Sequence, residues 1–532
     1  MNFKWNNRVF CNYITEEKVN ESVCIAGWVD TTRDHGHLLF IHLRDRSGTL
    51  QIVCDENINQ SIYQISKSLR SEFVIKVSGT VQMRSKQTIN SDMVSGTIEI
   101  IAESIEILSK ASTPPFLVSE KSTEKMDLSV DEDLRLQYRY LDLRRQTMQQ
   151  NIIGRSKITK SLRSTLESSG FIDIETPFLT KSTPEGARDY LVPSRTHGGK
   201  FFALPQSPQL FKQMLMMSGF ERYYQIVKCF RDEDLRPNRQ PEFTQLDIEA
   251  SFVEESDIMS LTNQIIKDAF ESNGIPINHE FPSMTYAEAI ENYGTDAPDL
   301  RYGMTFATVT DTFKNCGYKI FTSIVANGGS IKGFALPGLA NELSKNMIQN
   351  DLASKAIKEC GGKGLTWMKV LDNDEFESNI VQFFSKEELI EARNATNAKV
   401  GDIMMFVADA SIDTVNTVLG RFRVYLAERF DLIPPNIFSG CWITDFPMFE
   451  KTDDGHITSL HHPFTQPIKN VHDQMDESEV LSLTARAYDI VINGQEVGGG
   501  SIRIHDSKQQ ETVFRILKLT DVEIDQKFGL FV

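Results

Sequence analysis

The chain has no closely paired cysteines: Cys11, Cys24, Cys54, Cys229, Cys316, Cys360 and Cys441 are scattered, odd in number and never spaced CxxC. That leaves no disulfide framework and no zinc site, and they read as reduced, mostly buried small residues. No apolar run has the length of a membrane span, and the N-terminal MNFKWNNRVF has no signal-peptide core. A cytoplasmic protein without membrane association is expected. Positive charge is also short, with 56 Lys and Arg against 73 Asp and Glu for a net −17. Non-specific binding to nucleic acid is therefore expected to be weak, and any RNA contact must come from local basic surface. Candidates are Arg33, Arg44, Arg46, Arg135, Arg139, Arg144, Arg145, Arg155, Lys157, Lys160 and Arg163.

What is present suits a soluble chain of roughly two to four domains. From Val23 to Ile107 short alternating runs such as VCIAGWVD, LLFIHLRD and TLQIVCD, several separated by glycine turns, predict a five-stranded OB-type β-barrel. In it Phe40, His42 and Arg44 share one face, with Gln51 on the next strand. Phe40 fits a barrel core or a base-stacking surface equally well. A polar, aperiodic stretch follows, and then a helical stripe of Ile153, Ile158, Leu162 and Leu166 ending at Gly170. Gln206-Ser207-Pro208 opens another helix, with Ser207 as N-cap and Pro208 at the first helical position. Leu210, Phe211, Met214 and Leu215 are its expected buried face, with Gln209 and Lys212 elsewhere. Asn493-Gly494 between apolar runs is a strong hairpin signal.

The densest chemistry lies between Tyr224 and Ala250. Two β-prone runs flank Leu235–Pro241, so an antiparallel hairpin is expected. Strand parity sends Phe243, Gln245, Asp247 and Glu249 to one face and Leu246 and Ile248 to the other, and pairs Arg231 with Glu233 on the preceding strand. The plainer reading is an amphipathic hairpin whose charges face water, but a Phe among the polar positions and Pro-bracketed arginines are poor surface filler.

The run FRDEDLRPNRQPEFTQLDIE resembles motif 2 of class II aminoacyl-tRNA synthetases, in the form of bacterial-type aspartyl-tRNA synthetases. QSPQLFK, the loop TPEGARDY, the helix and strand of motif 1, His461-His462, and GGGSIR near Glu496 extend the likeness along the chain. The resemblance implies a multidomain α+β fold. Its parts would be an OB-type anticodon-binding barrel (1–109), a linker or hinge (110–145), a class II catalytic domain of antiparallel sheet and flanking helices (146–285 and 428–532), and an inserted α/β domain (286–427). GGKGL and FVADA resemble that insertion, with Val407 where the family commonly has Gly.

By the same resemblance ATP is held by Arg231, Glu233, Phe243, Gln245 and Glu496, with Arg231 and Glu233 catalytic, and Mg²⁺ by Asp489 and Glu496. Aspartate falls to Glu185, Ser207, Gln209, Lys212, Asp247, His461, His462 and Arg503, and the anticodon to Arg33, Phe40, Gln51 and Glu99. Implied partners are L-aspartate, tRNA-Asp and a second copy of the chain through motif 1. His35 lies where variation is linked to charging of tRNA-Asn as well. The substrate's own carboxylate is the nucleophile, which suits a chain in which no nucleophile–base pair stands out. Nothing matches the GLDR core of motif 3, and the sequence stops at QKFGLFV. A chain truncated before motif 3 is therefore the expectation, with a catalytically impaired or inactive tRNA-binding protein as the alternative to an aspartate–tRNA ligase.

Overall fold

A computed structural model describes residues 7–119, 130–182, 187–235, 239–278, 280–452 and 454–528. Two compact units divide it, residues 1–157 and 158–532. Among the described residues no helix is long and apolar enough to cross a membrane.

The first unit holds β1 (Ser22–His35), β2 (Leu38–Asp45), β3 (Gly48–Asp55), α1 (Gln60–Lys67), β4 (Val74–Met83) and β5 (Ile98–Ser109). The strands close a barrel in the order β1-β2-β3-β5-β4. Alternation decides which side chains fill it: Ile25, Ile41, Leu43, Leu50, Ile52, Ile75, Val77 and Ile100 form one core. Phe40 has the opposite parity and is only half-buried, so it stands on the outer surface rather than in the core. Arg33 lies opposite Phe40 in the β1–β2 register, and Gln51 lies opposite His42 in the β2–β3 register.

Several candidate RNA-binding arginines are engaged instead by buried carboxylates. Arg44 pairs with Asp30 and, at 2.6 Å, with Glu72; Arg144 reaches Glu72 at 2.8 Å and lies over the Trp28 ring. Asp142, fully buried, takes Arg135, Arg139 and Arg145. Removing such a carboxylate would leave cations uncompensated, so these arginines hold structure together. Arg33, Arg46, Arg155, Lys157 and Lys160 remain exposed.

α2 (Gln146–Ser168) is the expected helix and gives way at Gly170, whose φ of +79° suits glycine. Leu166 is fully buried, whereas Ile153 and Ile158 are 43% and 39% exposed. In the second unit β6 (Ile172–Asp173), β7 (Arg222–Phe230) and β8 (Glu242–Ala250) form a sheet in the order β8-β7-β6. The β7–β8 hairpin is antiparallel, and Leu246 and Ile248 pack with Leu166, Phe171, Tyr224 and Ile265. β7 ends at Phe230, so Arg231 and Glu233 both sit in the connecting loop and strand parity places neither. α3 (Gln209–Met217) lies between β6 and β7 in the chain.

β8 runs into α4 (Glu255–Glu271), which is tied to a second sheet. That sheet is β9 (Ser283–Thr285), β15 (Gly440–Thr444), β16 (Ala487–Ile492) and β17 (Gln495–Ser501), in the order β9-β15-β16-β17. Asn263 of α4 accepts from the Trp442 indole at 3.0 Å, and Glu254 and Glu255 pair with Arg486 just ahead of β16. Asn493 and Gly494 turn β16 into β17 with φ of 53° and 76°, both in the region a type I′ turn needs. The Asn493 side chain accepts from the Ser439 N–H and donates to the Ile437 carbonyl.

Between the two sheets in sequence, β10 (Ala307–Thr308), β11 (Ser330–Leu336), β12 (Thr366–Val370), β13 (Phe376–Glu377) and β14 (Ile403–Asp409) form a five-stranded sheet in the order β10-β11-β14-β12-β13. Every pairing in it is antiparallel. α5 (Ile412–Arg429) packs on it through Val415, Val418, Leu419, Phe422 and Leu426. KGFALPGL, GLTWMKVL and FVADA supply its three central strands.

Candidate active site

A groove of about 2820 Å³ in the second unit is lined from both of its outer sheets. Ser207, Gln209, Lys212, Arg231, Glu233, Phe243, Gln245, Asp247, His461, His462, Asp489, Glu496 and Arg503 all border it. Of the residues expected in the catalytic site only Glu185 is not among them, because it lies outside the described residues.

Its deepest part is ionic. Lys212 Nζ is 2.9 Å from Asp247 Oδ1 and 3.1 Å from Glu249 Oε2, with all three side chains buried or nearly so. Arg503 Nε stands 3.9 Å from Glu249 Oε1, and its other nitrogens reach Ser501 Oγ at 3.0 Å, His462 Nδ1 at 3.2 Å and Gln209 Oε1 at 3.3 Å. Burial alone would discharge Lys212, but Asp247 and Glu249 outweigh it and raise its pKa. Burial likewise opposes the charge on Glu249, yet Lys212 and Arg503 hold its pKa down, whereas burial lifts that of Asp247. Burial, Arg503 and Lys212 keep His462 neutral. Its Nδ1 accepts from the Phe464 N–H, so the ring proton sits on Nε2.

Four groove-lining residues carry a buried polar atom with no partner among the described residues: Gln213 Oε1 and Ser459 Oγ, and, in this ionic part, Asp247 Oδ2, an acceptor, and Gln209 Nε2, a donor. Such orphans cost about 1–3 kcal/mol each unless a ligand satisfies them. One anion-seeking donor, one cation-seeking acceptor and two cations in a small space suit a zwitterion bearing an extra carboxylate.

Toward the other end Arg231 lies over the Phe243 ring, 5.1 Å from its centroid, and Gln245 accepts from the Cys229 thiol at 3.3 Å. A flat ring beside a cation and an amide suits a purine next to phosphate. Across the groove Asp489 has its pKa raised to about 8 by burial, then by Glu496 and Asp296. Gly499 lies opposite it, and a Cβ there would come within 2.1 Å of Asp489 Oδ1. Glu496 also faces Arg239, at 3.8 Å, while Asp489 is buried beside it, and carboxylate oxygens so placed suit a hard divalent cation. Among the described residues no three His, Cys, Asp or Glu are grouped to hold a metal, so Mg²⁺ held by Asp489 and Glu496 would need phosphate or water as its other ligands.

The helix carrying Lys212 departs from expectation. Pro208 is the N-cap, Ser207 Oγ accepts from Gln209 N, and the buried side chains of α3 are Gln209 and Lys212, while Met214 is 42% exposed. The buried ions of β8 draw the polar side inward. Glu249, Asp296, Arg301 and Ser501 also border the groove although they were not assigned to it. Glu249 was findable from strand parity, but Asp296 and Arg301 come from a segment 46 or more residues beyond β8 that carries no local signal.

The chain belongs to the class II tRNA synthetases (D, K and N), a family that matches residues 131–532. An OB-fold nucleic acid binding domain matches residues 23–108. The chain is 49% identical to aspartate–tRNA(Asp/Asn) ligase 1 of Syntrophus aciditrophicus, over 99% of its own length and 74% of that protein's. It is 45% identical to aspartate–tRNA ligase of Staphylococcus epidermidis, over 98% and 88% respectively. The fold is shared with asparaginyl-tRNA synthetase of Pyrococcus horikoshii (TM-score 0.57, 17% identity, 99% and 90% covered) and aspartyl-tRNA synthetase of Entamoeba histolytica (0.56, 17%, 98% and 83%). These matches give no support to the alternative of an inactive tRNA-binding protein.

Proposed function

We propose that this chain activates L-aspartate with ATP and transfers the aspartyl group to the 3′ end of tRNA-Asp. The paired orphans Asp247 Oδ2 and Gln209 Nε2, set beside Lys212 and Arg503, carry the reading, together with relatives at 45–49% identity that are named aspartate–tRNA ligases. Asp247 takes the α-ammonium, and Lys212 and Arg503 take the side-chain carboxylate, with Ser207, His461 and His462 closing round it. The α-carboxylate oxygen attacks the α-phosphorus in line, a new C–O–P link forms, and the bond to the pyrophosphate leaving group breaks. Arg231 steadies the α-phosphate, Phe243 stacks on the adenine, and Glu233 and Gln245 meet its edge. Asp489 and Glu496 would hold Mg²⁺, which would supply neutralisation of phosphate charge. Arg33, Phe40, Gln51 and Glu99 on the barrel's outer face bind the anticodon. Exposed Ile158, Ile172, Phe178 and Leu179 in the motif 1 region suit a homodimer, acting in the cytoplasm.

Aspartate-dependent ATP–pyrophosphate exchange is the test. Exchange supported by lysine or asparagine and not by aspartate overturns the assignment. Charging of tRNA-Asn transcripts beside tRNA-Asp decides the tRNA range.

The carboxylate pair gives a pH prediction. Asp489 titrates near 8 in the folded chain against 3.8 in the unfolded one, so the stability it contributes is full below about pH 4 and lost as pH rises through 8. Bound Mg²⁺ favours the ionised form and removes that loss. The gain in melting temperature from replacing EDTA by Mg²⁺ is expected to grow from pH 6 to pH 9; a gain independent of pH would count against Asp489 as ligand.

A further inference from the structure

A chain of hydrogen bonds crosses the outer barrel face from β1 to β5. Thr31 Oγ1 lies 3.2 Å from His42 Nδ1, His42 Nε2 lies 3.3 Å from Gln51 Oε1, and Gln51 Nε2 donates to Glu99 Oε2 at 2.9 Å. The acidic end dictates every direction. An ionised carboxylate only accepts, so Gln51 must turn its NH₂ to Glu99 and its carbonyl to His42. His42 must then carry its proton on Nε2, and the Thr31 hydroxyl donates to the bare Nδ1. Burial lowers the His42 pKa, and the nearby Arg33 and Arg84 guanidiniums add to this, so the ring stays in the one neutral tautomer that fits. The Gln51 amide is thus gripped at both ends, by His42 through oxygen and by Glu99 through nitrogen. One N–H and one carbonyl lone pair remain free, fixed in position, on the face that Phe40 shares.

Resting on the reading of this face as the anticodon site, we propose that His42 is a positioning residue that clamps the Gln51 amide against Glu99 and thereby sets which base edge the barrel accepts. The ligand is an unpaired nucleobase offering a donor and an acceptor side by side, as single-stranded RNA loops present them. Without His42 the amide keeps its anchor at Glu99 but its carbonyl loses a fixed aim, so the match to one base edge over another weakens. The neighbouring aromatic ring supplies stacking that tolerates any base, which leaves discrimination to the clamped amide.

The test is binding of the full chain to fluorescent RNA hairpins, one with the aspartate anticodon and three each changed at one anticodon base. His42→Leu is expected to lose about ten-fold of the preference at one position while keeping the other two, the scale of one base-edge contact. Gln51→Ala should lose the same preference, and the double variant should lose no more than either. His42→Gln, whose amide nitrogen reaches where Nε2 stood, should restore it. Retained preference in His42→Leu alongside its loss in Gln51→Ala overturns the clamp and leaves the anticodon reading standing. Equal weakening for all four hairpins, with no rescue by His42→Gln, also overturns the clamp. If Phe40→Ala and Gln51→Ala both bind like the unaltered chain, the anticodon reading itself falls.

Discussion

Replacing Lys212 by methionine is expected to lower aspartate-dependent pyrophosphate exchange by about three orders of magnitude. Among the described residues Lys212 is the one cation in contact with both Asp247 and Glu249, and its removal leaves two buried carboxylates near each other. Breaking a buried pair by deleting one partner costs about 3–5 kcal/mol, and each 1.4 kcal/mol is a factor of ten. Protonation of Asp247 would relieve the repulsion, yet it would also remove the negative charge that balances the substrate ammonium. Lys212→Arg should not rescue, because a planar fork cannot replace a compact ammonium between two carboxylates 2.9 and 3.1 Å away. Exchange within ten-fold of the unaltered chain would remove Lys212 from the site.

Arg503→Met should instead act on choice of substrate. Its guanidinium stands 3.9 Å from Glu249 and is steered by Ser501, His462 and Gln209, so it is held rigidly in the ionic part of the groove. A neutral amide leaves such a cation unpaired, and a site that loses polar contacts in this way can discriminate by roughly 10⁴-fold. Without the cation, the ratio of exchange rates for aspartate over asparagine is expected to fall by at least about 100-fold, mostly through a higher KM for aspartate. An unchanged ratio with a lower rate for both would assign Arg503 to the phosphates instead.

The fold and site were legible where a strict period carried them. Parity in β8 placed Phe243, Gln245, Asp247 and Glu249 together and sent Leu246 and Ile248 to the core, because a strand's period of two leaves no freedom. The positive φ angles at Asn493 and Gly494 followed from their residue types alone. Legibility failed where tertiary partners overruled local pattern. α3 buries Lys212 because Asp247 and Glu249 lie on β8, and Gln209 because Arg503 reaches it from beyond β17, all of them more than thirty residues along the chain. Likewise nothing local separates Arg33, which is exposed, from Arg44, whose charge is absorbed by Asp30 and Glu72. Composition counts cations; only the fold shows which are spoken for.

The tight turn that joins β16 to β17 carries a chemical consequence of its own. An asparagine followed by glycine is prone to spontaneous deamidation, since the unhindered glycine nitrogen can attack the side-chain carbonyl and close a succinimide. In this chain the Asn493 amide is bound at both ends, to the Ser439 N–H and the Ile437 carbonyl. The attack needs that amide to rotate free, so the folded hairpin protects it. Aspartate and isoaspartate at 493 would therefore accumulate in proportion to the time the hairpin spends open, making this residue a molecular record of ageing.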